Sequence, residues 1–247
     1  RWQGRVALVT GGSGGIGLAV VERLAAAGLK VAFCGRREET LRAHESRLLE
    51  AGLQALAVVA DLRKIEDIDA MFETIRSKWG GVDVLVNNAG LGHHAPLLSG
   101  HVDHWREMLE VNVLALCVTT QYAVDDMRKG GGDGHVIHIG SMAGHRVPGG
   151  SGVYSATKFA VRSLTEALRL EVVQQGLPIR VTAISPGFVE TGFAAHYHGS
   201  EAKGRETYSQ FKVLESEDIA DAVTWALSSP AHMQVHDILI RPTSQPM

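Results

Sequence analysis

Tyr154 and Lys158 stand four residues apart in a stretch, Val153 to Gln175, that reads as a helix. That spacing brings both side chains to one face. A phenol beside an ammonium is a proton-transfer pair. Free tyrosine titrates near ~10, and a neighbouring cation favours the phenolate and lowers that value. Tyr154 can then give or take a hydroxyl proton while hydride moves at the adjoining carbon. Ser141 lies thirteen residues upstream of Tyr154, just past an apolar run from His135 to Ile139. A strand there would leave Ser141 at the sheet edge where open α/β folds bind ligands, with its hydroxyl free to hold the substrate oxygen. Asn112, within the helical stretch Val102 to Met127, is placed to bind a water that links Lys158 to solvent. A Tyr-x-x-x-Lys pair alone occurs in many helices by chance. The serine at a strand end makes it far more specific.

A redox partner is written near the start of the chain. Arg5 to Thr10 is a strand-length apolar run that leads straight into Gly11-Gly12-Ser13-Gly14-Gly15-Ile16-Gly17. A helix begins there and stops at Gly28. Glycines allow a tight turn and close approach to a pyrophosphate, and the helix N-terminus offers free N–H groups and a positive dipole. The spacing is Gly-x-x-x-Gly-x-Gly (Gly11, Gly15, Gly17) rather than G-x-G-x-x-G. A glycine cluster by itself can be a loop, but this one sits between the first strand and the first helix. The second strand ends at Gly35, followed by Arg36 and Arg37. Dinucleotide folds often place an acid here for the ribose 2′-hydroxyl. Arginines instead suit a 2′-phosphate through charge-assisted bonds, which points to NADP(H). Lys158 would also bond the nicotinamide ribose.

The elements that must carry these residues alternate. Strand-length apolar runs fall at Lys30–Cys34, Ala55–Val59, Val82–Val86, Ile179–Ile184 and Ile238–Ile240, besides the two above. Helix-like stretches fall between them at 37–50 and 65–79, and Ser216 reads as the N-cap of a helix over 216–227. Segment 188–211 reads as irregular. Strands without polar alternation, separated by helices, indicate a parallel sheet covered on both faces. The expected architecture is one α/β domain over 1–247, a Rossmann-type doubly wound sheet.

Composition agrees. The chain has 247 residues, 45% hydrophobic and 21% charged, with a formal net charge of -3. These values exclude a disordered or fibrous chain and argue against a nucleic-acid or anionic-membrane binder. Residues Arg1 to Arg5 carry no apolar leader, and no apolar run approaches the about 18 residues of a membrane span. Cys34 and Cys117 lie in apolar stretches, without metal or disulfide spacing, and read as buried free thiols of a cytoplasmic protein.

Taken together, the motifs resemble the short-chain dehydrogenase/reductase family over essentially the full chain. They are Thr10 to Gly17, Asp61-Leu62, Asn87-Asn88-Ala89-Gly90, Asn112, Ser141, Tyr154-x-x-x-Lys158 and Pro186-Gly187. Arg1 to Thr10, Ser141 to Arg146, Ser229 to His232 and the ending Asp237 to Thr243 further resemble the branch that holds animal dehydrogenase/reductase member 11 and insect farnesol dehydrogenases. The resemblance implies a catalytic tetrad of Asn112, Ser141, Tyr154 and Lys158. It implies adenine contacts from Asp61 and Leu62, a cofactor wall from Asn88, Ala89 and Gly90, and a sheet brace at Asn87. Pro186 to Thr191, including Gly187, would hold the nicotinamide carboxamide through the backbone of Val189 and the hydroxyl of Thr191. Segment 188–213 would be a substrate lid, and the chain a homodimer or homotetramer.

Substrate-side candidates are His93, His94, Met142, His145, Phe188 and Phe193. An apolar ketone or aldehyde of keto/hydroxysteroid or terpenoid type leads. The alternatives are a dedicated biosynthetic reductase of a small polar carbonyl, of 3-hydroxy acid or clavulanate-aldehyde type, and a non-catalytic NADP(H) sensor. Twelve histidines invite a metal, but none stands in a recognised ligand spacing, and hydride transfer from nicotinamide needs no metal.

Overall fold

The computed structural model describes residues 1–246. Its seven-stranded sheet runs β3-β2-β1-β4-β5-β6-β7, and every adjacent pair is parallel. The strands are β1 (Val6–Thr10), β2 (Lys30–Gly35), β3 (Ala55–Val59), β4 (Val84–Asn87), β5 (Gly134–Ile139), β6 (Ile179–Pro186) and β7 (Asp237–Ile240). The chain builds outward from β1 to β3, then returns to place β4 beside β1. That reversal opens a crevice beyond the strands' C-terminal ends, the position where doubly wound sheets bind ligands. Thr10, Asn87, Ile139 and Pro186 end the four strands bordering it.

Two apolar layers hold the helices to the sheet. On one face α1 (Gly15–Ala26), α2 (Glu38–Glu50) and α9 (Ser216–Ser228) bury Val20, Leu24, Leu41, Ile219 and Val223 against the sheet and one another. On the other, α3 (Ile65–Trp79), α5 (Ala115–Lys129) and α6 (Gly152–Gln174) bury Phe72, Ile75, Ala123, Met127 and Val172. Removing such apolar area from water contributes roughly 25 cal/mol per Å².

Three local features depart from expectation. The stretch read as one helix is α4 (Val102–Leu109), a π-helical turn over Glu110–Leu114, and α5. The π turn carries Asn112, and such turns occur frequently at functional sites. The stretch read as irregular instead contains α7 (Phe193–His198) and α8 (Glu201–Ser209), packed on each other. Helix α9 is capped by Glu215, not Ser216: Glu215 and Asp218 exchange hydrogen bonds in a capping box. Of the two thiols, Cys34 is buried and Cys117 only half-buried.

Two histidines on β5 are sealed into the sheet. His135 bonds Thr182, and His138 bonds Thr120 and Thr165. Burial holds both imidazoles down to about 3, far below 6.5. Below about pH 6.5 the unfolded chain therefore binds protons that the folded protein refuses, and stability falls as pH falls. The expected result is a thermal midpoint that drops steadily from neutral pH to about pH 5. Over the same range NMR of these two imidazoles should show no titration. An imidazole that titrates near its ordinary value would contradict the assignment.

Candidate active site

The sequence turns sharply after β1 because the glycines there permit it. Gly11 and Gly15 adopt φ of +69 and +53, in the left-handed region that costs other residues strain. Gly17 sits so close to this turn that a Cβ would overlap the Gly11 carbonyl oxygen and lie 2.5 Å from Asn88 Nδ2. Above it, Thr191 closes in: a Cβ on Gly15 would lie 3.1 Å from Thr191 Cγ2. The two walls enclose a cavity of about 1140 Å³. That exceeds the roughly 300–1,000 Å³ of a pocket for one small ligand.

One continuous lining collects most of the expected cofactor residues. Gly11, Ser13, Gly15, Ile16, Gly17, Arg36, Arg37, Asn88, Ala89 and Gly90 line one side, and Pro186, Gly187, Val189 and Thr191 the other. These residues fit a dinucleotide. The glycine turn leaves backbone N–H groups at the start of α1, and Gly14 leaves the approach beside Arg37 open. The N–H of buried Val189 takes no protein acceptor among the described residues. Arg36 leans toward Glu107, at 3.8 Å.

Asp61 and Leu62, expected at the adenine, lie outside this lining. The Asp61 carboxylate accepts from Arg63 Nε at 2.9 Å and from the Arg63 amide at 3.1 Å. The guanidinium holds it down to about 2. Asn88 shares the bracing role expected of Asn87. Its side-chain amide donates to the Thr10 and Gly11 carbonyls, while the Thr10 hydroxyl accepts from the Asn88 and Ala89 amides. Asn87 is tied to Thr119 and Thr120. Thr10 thus locks the β1 turn to the β4 turn.

The other end of the cavity holds Ser141, Tyr154 and Lys158. Ser141 begins a short 3₁₀ turn after β5, where its hydroxyl accepts from the Ala143 amide at 3.0 Å. Lys158 is 6% exposed and donates to the Ile139 carbonyl at 3.0 Å. Burial lowers it to about 8. Tyr154 is raised to about 12 by burial, an effect the Ser141 hydroxyl beside the phenol opposes. The expected lowering by Lys158 is absent. The Lys158 ammonium lies 6.0 Å from the centre of the tyrosine ring and points to a carbonyl, so desolvation dominates. Tyr154 is accordingly a phenol at neutral pH, able to donate a proton.

Asn112, 1% exposed, has both hydrogens of its side-chain amide engaged. It accepts from the Leu91 amide at 2.9 Å and donates to the Leu91 carbonyl and Thr157 Oγ1. It pins the loop after β4 to α6, three residues from Tyr154 and one from Lys158. A water relay through its side chain would use the second lone pair of Oδ1, since both amide hydrogens are taken.

Of the substrate-side candidates, His94, Met142, Phe188 and Phe193 reach the cavity. His93 and His145 do not. His93 bonds Glu107 at 2.8 Å and stacks on His104 with ring centres 4.1 Å apart. His145 turns to Ser185 and to Asp237, at 3.2 and 3.1 Å. The helices α7 and α8 supply residues that the sequence did not single out for this wall, among them His198 and Lys203. Phe193 and Tyr197 come within 5.3 and 6.2 Å of the Tyr154 ring, centre to centre. Arg146 and Gln245 also join the wall. No helix among the described residues is long and apolar enough to cross a membrane.

Known proteins are similar to this chain in sequence and in fold. The chain is 47% identical over 251 residues to dehydrogenase/reductase SDR family member 11 of Homo sapiens, covering 99% of this chain and 96% of that protein. It is 42% identical over 250 residues to farnesol dehydrogenase of Aedes aegypti, covering 99% and 98%. The solved closed form of serine dehydrogenase complexed with NADP+ superposes with a TM-score of 0.91 at 33% identity, over 98% of this chain and 96% of that one. The profile of the short chain dehydrogenases matches residues 5–202, which span the glycine turn, the Ser141 turn and the Tyr154–Lys158 helix. The chain belongs to the short-chain dehydrogenase family of oxidoreductases.

Proposed function

We propose that this protein is an NADP(H)-dependent carbonyl reductase and alcohol dehydrogenase, with Asn112, Ser141, Tyr154 and Lys158 as its active-site set. One observation carries the reading: a single cavity runs from the glycine turn and the Arg36–Arg37 pair to Ser141, Tyr154 and Lys158. The complete set of proton-handling groups argues against a sensor that only binds nucleotide. The bound nicotinamide would supply or accept the hydride. The Ser141 hydroxyl donates to the carbonyl oxygen and orients it. Tyr154 gives that oxygen its proton as the alcohol forms, and takes it back in the reverse direction. Lys158 would hold the ribose, with its ammonium fixed at the Ile139 carbonyl rather than at the phenol. Asn112 acts by holding Leu91 and α6 in place.

The proton-donor state of Tyr154 favours reduction at neutral pH. Alcohol oxidation needs the phenolate, so its rate should climb with pH while reduction does not. An oxidation rate independent of pH would contradict this role.

The lining supports an apolar carbonyl of keto/hydroxysteroid or terpenoid type: Leu91, Met142, Phe188, Phe193, Tyr197 and Tyr208 are among its residues. The relative named farnesol dehydrogenase agrees with that. A small polar carbonyl is the second reading, favoured by Arg146 and Lys203 on the same wall. Exposed Leu109, Leu114 and Phe159 on the α4–α6 side support a homodimer or homotetramer. The testing experiment is NADPH oxidation against ketosteroids, terpenoid aldehydes, β-keto acids and small diketones, with NADH in parallel. Turnover of one class with NADPH is expected. Silence across the panel despite tight NADPH binding would favour the sensor.

A further inference from the structure

The strand β6 ends at Pro186, and the next residues form the cavity wall opposite the glycine turn. The chain's last described residues hold that wall in place. Gln245 is 8% exposed. Its backbone folds back through a turn, Gln245 N–H to the Pro242 carbonyl at 3.0 Å. Its side-chain Oε1 accepts from the Phe188 amide at 3.1 Å. Gly187 is shaped around this contact. A Cβ there would overlap Gln245 Oε1 and lie 2.9 Å from Arg241 Cβ, while the Gly187 amide bonds the Ile240 carbonyl at 2.7 Å. On the other edge, the Leu214 amide donates to the Phe188 carbonyl at 3.0 Å, and the Glu190 amide to the Leu214 carbonyl at 2.8 Å. Arg146, which also lines the cavity, donates to the Pro246 carbonyl at 3.3 Å.

Every backbone N–H from Gly187 to Glu190 thus has a protein acceptor except that of Val189. We infer that Gln245 is a positioning residue: by accepting from Phe188 it keeps the adjoining Val189 N–H turned into the cavity for the nicotinamide carboxamide. The inference rests on the NADP(H) reading above. Gln245 stands on the cavity wall, and the role inferred for it runs through the Phe188 amide. It completes a three-sided brace with β7 and the Val189–Leu214 bridge. Its loss leaves the part-buried Phe188 amide without this acceptor, and the segment shifts as that amide seeks another partner.

Gln245→Leu keeps the side chain's bulk and removes the acceptor, whereas Gln245→Glu keeps the acceptor. Three readouts need no turnover. By titration, Gln245→Leu should weaken NADPH binding roughly tenfold, equivalent to about 1.4 kcal/mol. Binding of 2′-phospho-ADP-ribose, which lacks nicotinamide, should stay unchanged, and Gln245→Glu should bind NADPH nearly as the parent does. In the protein without nucleotide, Gln245→Leu should speed hydrogen exchange at the Phe188 amide. Unchanged NADPH affinity in Gln245→Leu, or equal losses for NADPH and the fragment, would overturn the positioning role while leaving the proposed function standing. A parent protein that binds no NADPH would overturn both.

Discussion

Tyr154→Phe should fold normally, bind NADPH as the parent does, and lose turnover by about a thousandfold, within the usual range for removing a general acid. The change deletes one oxygen. The ring that packs against Phe193 and Tyr197 stays, so the cavity keeps its shape. No backbone group depends on the hydroxyl. What disappears is the proton donor beside Ser141, a group that burial holds protonated up to about 12. The carbonyl oxygen would then have to take its proton from water, against the charge that develops as hydride arrives. Both kcat and kcat/KM should fall together, because the interaction belongs to the transition state. Steady-state rates with NADPH titration in parallel check this. Near-parental turnover would remove Tyr154 from the chemistry.

The double change Arg36→Ala, Arg37→Ala should raise the KM for NADPH about a hundredfold and leave that for NADH nearly unchanged, because guanidinium–phosphate bonds are among the strong charge-assisted kind. Both side chains are exposed at the mouth of the crevice. Gly35 leaves no carboxylate where one would repel a 2′-phosphate, and the space a Cβ there would fill abuts Ser13 Oγ at 3.1 Å. The ion pair of Arg36 with Glu107 is long, at 3.8 Å, too far for a good hydrogen bond. Its guanidinium is therefore free to turn toward an incoming phosphate. The preference for NADPH should also shrink in the parent protein as salt rises, since exposed charges are screened. Equal effects of the double change on NADPH and NADH would contradict the 2′-phosphate role.

The elements with an unbroken period were legible in the sequence. Strand β3 and helix α3 have the bounds read from hydrophobic pattern alone, Ala55–Val59 and Ile65–Trp79. The glycine turn and the Ser141–Tyr154–Lys158 set were legible because their chemistry restricts residue type and spacing. What escaped depends on neighbours distant in the chain. The π turn at Glu110–Leu114 leaves the apolar pattern of its helix intact, so no residue marks it. Helices α7 and α8 are short, and α8 has a mostly polar surface; their packing on each other decides them. His93 and His145 follow motif residues in sequence, yet Glu107 and Asp237 draw them away from the cavity. Gln245 meets Phe188 across fifty-seven residues. The mutual tuning expected of Tyr154 and Lys158 from a four-residue spacing fails for a geometric reason. A shared face brings two side chains near each other, but the Ile139 carbonyl decides where the ammonium points.

The central claim is hydride transfer from nicotinamide to a carbonyl carbon at this site. Its most direct test uses NADPH carrying deuterium at the transferable position, with whichever carbonyl compound supports turnover. The account predicts an alcohol with one deuterium on its carbinol carbon, formed in step with NADP+ and nearly abolished by Tyr154→Phe. An alcohol without that deuterium, or a product that keeps its carbonyl, would contradict it.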